Sequence, residues 1–241
     1  MLKNIRIVLV DTSHPGNIGA AARAMKNMSL EQLCLVTPRF FPSAEATARA
    51  SGADDLLARA QVYACLDDAL AGCRLVLGAS ARERSVAWPV LSPRETGPKL
   101  VAEAAVGEVA LVFGRESSGL TNQELDRCHY LIHIPTSAHY SSLNLAAAVQ
   151  VLVYEVYMAW LDARGRPVPP AREVATADRV EGFHRHLAQA LEEIGFADPQ
   201  QSDKLLRRLR SLFQRARPDA DEINILRGIL SAAQGRKSMR R

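Results

Sequence analysis

Cysteine is scarce in this 241-residue chain, and it is unpatterned. The four cysteines, Cys34, Cys65, Cys73 and Cys128, form neither a C-x-x-C pair nor a His–Cys cluster with metal-ligand spacing. A zinc-ribbon or disulfide-framed scaffold is therefore not expected, and the thiols read as reduced core or surface groups of a cytosolic, cytoplasmic protein with no metal. No basic-then-apolar leader precedes the first apolar run at residues 5–10, so no secretory segment is expected. Long hydrophobic runs are also missing. The best one, residues 143–161, is interrupted by Asn144, Gln150 and Glu155, and its apolar core falls short of the roughly 20 residues that span a bilayer. It reads as a buried or interface helix, with no membrane partner. A G-x-S-x-G elbow is lacking, which argues against a serine hydrolase built on His14 or His139.

What is present is a hydrophobic fraction of 48%, enough for a sizeable core, and an uneven charge. Residues 1–165 carry 15 basic and 16 acidic side chains, whereas residues 166–241 carry 15 and 10. A near-neutral body with a basic end suggests a catalytic unit with an appended polyanion-binding piece; a solvated tail fits the charge equally well.

Short apolar runs alternate with helical patterns, which predicts a parallel sheet flanked by helices. Strands are expected at residues 5–10, 32–36, 75–79, 110–113 and 131–134, with a weaker one at 61–64. Helices are expected at 18–28, 66–71, 98–105, 123–127 and 143–161. The R-G-R-P-V-P-P-A-R run makes residues 164–176 a linker between a first domain, 1–163, and a small basic helical domain, 177–241. The latter repeats apolar residues at helical spacing (Val180, Phe183, Leu187; Leu205, Leu209, Leu212; Ile223, Leu226, Leu230) over about three helices, a size that needs support from a neighbour.

Three polar turns sit at carboxyl ends of strands, where open α/β sheets bind ligands. In H-P-G-N-I-G-A-A-A-R-A-M (14–25), Pro15-Gly16 makes a tight turn and Asn17 can cap the following helix, whose Gly16, Ala20, Arg23 and Asn27 share one face. In F-G-R-E-S-S-G-L (113–120), the spacing approaches a phosphate-binding loop, but Leu120 occupies the lysine position, so an ATPase is a distant reading. Glu116 there would repel phosphate and could accept hydrogen bonds from amines or hydroxyls. In Y-S-S-L-N (140–144), Ser141, Ser142 and Asn144 exceed what one helix cap requires.

In this order within one α/β chain, the three turns resemble the signature motifs of the SPOUT class of RNA methyltransferases. The likeness extends through G-A-S-A-R (78–82), T-N-Q-E-L (121–125), S-L-F-Q-R-A-R-P (211–218) and N-I-L-R-G-I-L (224–230). Taken together these resemble the TrmJ-type tRNA ribose 2′-O-methyltransferases rather than their TrmH-type relatives. One departure is Ser29, where a helix-ending glycine is usual in the family.

The resemblance implies a parallel-sheet SPOUT domain ending in a deep trefoil knot, a homodimer with helix 143–161 in its interface, and S-adenosylmethionine (AdoMet) as methyl donor. It assigns the cofactor to Ala79, Ser80, Ala81, Gly114, Ile134, Ser141, Ser142, Leu143 and Asn144, and catalysis to Arg23, Ser142, Glu116 and Asn17. RNA contacts are expected from Arg82, Arg84 and Arg115, and from Arg207, Arg208, Arg210, Arg215 and Arg217. The implied activity is 2′-O-methylation of C or U at position 32 of the tRNA anticodon loop. Two alternatives stay open at this point: a methyltransferase for ribosomal RNA or another tRNA site, and a catalytically silent RNA-binding scaffold.

Overall fold

The computed structural model describes residues 1–80, 88–137, 139, 141–164, 174–198 and 202–235. Its strands are β1 (Ile5–Val10), β2 (Gln32–Val36), β3 (Gln61–Tyr63), β4 (Leu75–Ala79), β5 (Val90–Leu91), β6 (Val109–Phe113) and β7 (Tyr130–Ile132). They form one sheet in the order β3-β2-β1-β6-β4-β7-β5, with every pairing parallel. The helices are α1 (Pro15–Asn27), α2 (Ala44–Ala50), α3 (Asp54–Ala58), α4 (Leu66–Leu70), α5 (Pro93–Ala104), α6 (Asn122–Leu125), α7 (Leu145–Ala163), α8 (Ala177–Glu193), α9 (Asp203–Ala216) and α10 (Ala220–Ala233).

Both faces of the sheet are covered, which is why its strands read as unbroken apolar runs rather than alternating ones. Ile5, Ile7, Leu9, Leu33, Leu35, Leu75, Leu77, Leu111 and Phe113 share one buried layer with residues of α1, α5 and α7. Their neighbours Val8, Val10, Cys34, Val36, Val76, Ala110 and Val112 share the other with Leu66, Leu70, Trp88 and Leu125. Cys34, Cys73 and Cys128 are buried and Cys65 is exposed. Burial pushes the Cys34 thiol up to about 11 and the Cys73 thiol up to about 12, so neither is a reactive thiolate. One face of α7 (Leu145, Val149, Leu152, Val153, Val156) is core, while Val151, Tyr154, Met158 and Leu161 remain exposed.

Several elements differ from the sequence expectation. α5 begins at Pro93, not Pro98, because Ser92 and Glu95 form a reciprocal capping box; Pro98 lies inside the helix. α7 begins at Leu145, two residues later than expected, because the Asn144 side chain accepts from Ala146 N (2.9 Å) and Ala147 N (3.3 Å) and ends the loop there. α1 begins earlier, at Pro15, with His14 in the N-cap position. Asn17 is therefore not its cap. α2, α3 and β5 were not expected: the first two are short and lack an apolar stripe, and β5 is two residues long. Ser29 has φ 57, the left-handed conformation that a glycine adopts without strain.

α1 packs directly on α2. At Gly19 the backbone of α2 comes so close that an added Cβ would lie 2.0 Å from the Ala46 carbonyl oxygen. No such crowding exists at Gly228 on α10, where a Cβ would meet nothing within 4 Å.

The three C-terminal helices enclose Val180, Phe183, Leu187 and Ile223, with Phe213 edge-on to Phe183 at 4.7 Å between ring centroids. They are fastened to the sheet domain by Ala177 N donating to the Cys73 carbonyl (2.8 Å), and by Gly72 N donating to Asp178 Oδ1 (3.2 Å). Arg217 adds an ion pair with Glu103 (2.7 Å) and a bond to the Arg74 carbonyl (3.1 Å). Of the expected linker, residues 165–173 lie outside the described residues.

Gly19→Ala should separate α1 from α2 and cost about 1–3 kcal/mol, the usual penalty of overpacking. Gly228→Ala should stabilise the chain by about 0.5–1 kcal/mol through helix propensity. Denaturant unfolding of the two variants against the parent checks both signs.

Candidate active site

The three motif turns meet at the carboxyl edge of the sheet, and one carboxylate joins them. Glu116, in the turn after β6, accepts four hydrogen bonds from the segment that ends β1 and starts α1. Ser13 N (3.1 Å) and Ser13 Oγ (2.9 Å) donate to Oε2, while His14 N (3.2 Å) and Asn17 Nδ2 (3.0 Å) donate to Oε1. Asn17 in turn accepts from Asn144 Nδ2 (2.9 Å), and Asn144 caps α7. A negative charge at the start of α1 also suits the positive end of that helix. Partial burial pushes the Glu116 carboxyl up, but the Asn17 amide and the backbone N–H groups around it outweigh that and hold its pKa down to about 2.

Beside this junction lies a cleft of about 330 Å³. Its wall includes Ala79 and Ser80 at and after the end of β4, Gly114–Gly119 after β6, Ile132 and Ile134 at and after β7, and Ser141, Ser142 and Leu143 ahead of α7. Of the expected cofactor residues, Ala79, Ser80, Gly114, Ile134, Ser141, Ser142 and Leu143 surround it, and Asn144 stands behind it in the junction. Ala81, Arg82 and Arg84 lie outside the described residues. Gly114 is required by close approach: an added Cβ would lie 2.2 Å from the Gly119 backbone.

The turn 114–119 does not cradle phosphate. Arg115 N donates to the Gly119 carbonyl (3.2 Å) and Gly119 N returns to the Arg115 carbonyl (2.9 Å), so these amides face each other. The helix that follows, α6, has four residues and little dipole, and Glu116 is ionised. The phosphate-loop reading fails on this geometry.

The expected RNA-binding arginines divide into two groups. Arg115 is held by Asp11 (2.8 Å) and by Glu124 (3.0 Å). Arg207 pairs with Asp126 (3.2 Å), Arg210 with Glu181 (2.5 Å), and Arg217 with Glu103. Arg208 and Arg215 are exposed, as is Arg23. Arg23 has no hydrogen-bond or ion-pair partner among the described residues, and it lies about 9 Å along α1 from Asn17, at 1.5 Å per residue. It does not line the cleft. Three participants escaped the sequence reading: Asp11, Ser13 and Glu124. Asp11 and Ser13 belong to the D-T-S-H-P-G run at the end of β1, a polar cluster that was itself a signal. Among the described residues no cluster of His, Cys, Asp or Glu is arranged to hold a metal ion.

The depressed Glu116 pKa implies stability that is present above the ordinary carboxyl value of 4.5 and lost as pH falls toward about 2. Glu116→Gln should therefore lower Tm at pH 7, and its gap from the parent should narrow as pH falls through that window. A gap independent of pH would show that the four hydrogen bonds do not depend on charge.

Comparison with known proteins agrees with this architecture. Residues 4–154 match the SpoU rRNA methylase family, and residues 178–241 match the tRNA methyltransferase TrmJ C-terminal domain. The tRNA (cytidine/uridine/adenosine-2′-O-)-methyltransferase TrmJ of Pseudomonas aeruginosa is 54% identical, covering 97% of this chain and 95% of that protein. The tRNA (cytidine/uridine-2′-O-)-methyltransferase TrmJ of Cronobacter sakazakii is 50% identical over 99% of each. The crystal structure of TrmJ from Z. mobilis superposes with a TM-score of 0.80 at 33% identity, covering 94% of this chain and 97% of that one. With both halves matched and the relatives aligned nearly end to end, the chain belongs to the TrmJ family of SpoU-type methylases.

Proposed function

We propose that this chain is an AdoMet-dependent tRNA ribose 2′-O-methyltransferase that modifies C or U at position 32 of the anticodon loop. The observation that supports it most is the Glu116–Asn17–Asn144 junction, which brings three motifs remote in sequence to one cleft of cofactor size. The cleft chemistry suits AdoMet. Ile132, Ile134, Leu143 and Leu145 offer an apolar wall for an adenine ring, and the ionised Glu116 complements a sulfonium and an ammonium while disfavouring phosphates. Arg115 adds little positive charge, since two carboxylates hold it. The family relation supports a knotted path around this cleft, a homodimer through the exposed apolar stripe of α7, a tRNA partner and a cytoplasmic setting. No metal is invoked.

When bound, AdoMet supplies a methyl group on a sulfonium that leaves as a neutral thioether. The protein has to present the ribose 2′-hydroxyl in line and ease loss of its proton. Ser142, on the cleft wall, suits positioning of that hydroxyl. Arg23 is a guanidinium and too weak an acid to serve as a base. Its role in this reading is to orient the ribose and its phosphate and to stabilise the developing 2′-oxyanion. Its exposed place on α1, away from the cleft wall, fits action on the site of a second subunit. Glu116 and Asn17 hold the motifs together. Arg208 and Arg215 present an exposed basic face of α9 to the RNA backbone.

Transfer of labelled methyl from AdoMet to unmodified tRNA transcripts, followed by nucleoside analysis, tests the reading. A 2′-O-methylated C or U from the anticodon loop is expected, and a methylated base would overturn the ribose mechanism. In the same assay Arg23→Ala should lower kcat by on the order of 10²-fold or more with AdoMet binding retained. Near-full activity of Arg23→Lys would refute planar bidentate positioning. Arg208→Glu with Arg215→Glu should weaken tRNA binding and flatten its salt dependence by about two charges, while AdoMet affinity is unchanged. Unaltered tRNA affinity would exclude this face.

A further inference from the structure

Arg207 and Arg210, which suit RNA by composition, are turned into the chain. Arg207 donates twice to Asp126 Oδ1, from Nε and from a terminal nitrogen, both at 3.2 Å. From the same face of α9, Arg210 Nη1 (3.4 Å) and Gln214 Nε2 (3.5 Å) reach the Asp126 carbonyl oxygen. Asp126 closes α6, which at four residues has no stability of its own and depends on its capping box and on whatever grips its ends. Two residues before Asp126, Glu124 places both carboxylate oxygens 3.0 Å from Arg115 Nη1. Arg115 lines the cleft next to Glu116. A continuous series of contacts thus runs from the C-terminal helices to the cleft wall.

We propose that Arg207 is a positioning residue for the cofactor cleft. By clasping Asp126, α9 sets the orientation of α6 and of Glu124, and Glu124 sets the Arg115–Glu116 wall. The C-terminal helical domain then tunes the affinity of the cleft, in addition to carrying an RNA-facing surface. This inference rests on the reading that the cleft takes AdoMet. The side chains of Arg207 and Asp126 are only 26% and 13% exposed, which marks a built contact rather than a stray surface pair. Arg208 lies on the same helix and is exposed, so an RNA held there acts on the element that clasps Asp126. By linkage, RNA and AdoMet each strengthen or weaken the other's binding by the same factor.

The test is calorimetric binding of AdoMet to the full chain without RNA, with circular dichroism to confirm the folded fraction. Arg207→Ala and Asp126→Ala should each weaken AdoMet by about fivefold, a coupling of ordinary size. The double variant should be no worse than either single one, because both remove one contact. Arg207→Lys should restore only part of the affinity, and Lys204→Ala, at an exposed position of α9, should change nothing. Unchanged affinity in Arg207→Ala and Asp126→Ala, or a loss that merely follows the folded fraction, overturns the clasp and leaves the cofactor reading standing. A parent chain that fails to bind AdoMet overturns both.

Discussion

A single ionised carboxylate organises this site. Glu116 projects from the turn after β6 and collects donors from the end of β1 and the first turn of α1, while Asn17 passes the connection to Asn144 at the start of α7. Four charge-assisted bonds on one group explain how three loops hold a defined shape without a disulfide. They also explain why the cleft wall can consist largely of backbone and small side chains. Of the polar groups that fix the loops, Glu116 lies on the cleft wall while Ser13, Asn17 and Asn144 lie off it, and Ser141–Leu143 are spared from capping, a task that Asn144 performs.

Charge in the rest of the molecule follows the same economy. The basic excess of the C-terminal segment is not all presented to solvent: Arg207, Arg210 and Arg217 join α9 and the residue after it to Asp126, Glu181 and Glu103. A small three-helix core is marginal by itself; the Arg210–Glu181 pair ties α9 to α8 within it, and the Asp126 and Glu103 contacts fasten it to a large one. Of the arginines expected to touch RNA in this segment, Arg208 and Arg215 remain exposed. Net charge by segment therefore pointed to a polyanion-binding piece without saying which cations are available for it.

The sheet was legible because both its faces are buried: runs such as Ile5–Val10 and Val109–Phe113 need no alternation to be recognised. Ser141, Ser142 and Gly114 were legible on the cleft wall because their spacing carries a family pattern. Other elements escaped for local reasons. α2 is alanine-rich, and its packing partner is a glycine backbone, which leaves no hydrophobic stripe to read. The expected start of α5 at Pro98 is five residues late, because the Ser92–Glu95 capping box opens the helix at Pro93. Asn17 looked like a cap by type and place, but the chain before it already turns at His14 and frees its amide for Glu116.

Composition, strand periodicity and motif spacing were thus sufficient for the fold class, the edge of the sheet at which the motif turns gather and the family, because each depends on residues close in sequence. Whether a given polar side chain serves a ligand, a cap or another loop depends on partners about a hundred residues away. Ser13 and Asn17 find Glu116, and Arg115 finds Asp11, only when β6 is laid beside β1. The same holds for the arginines of α9. Their charge is local information, but whether that charge is free or neutralised is settled by long-range packing, since a carboxylate within about 3 Å of a partly buried guanidinium outcompetes water for it.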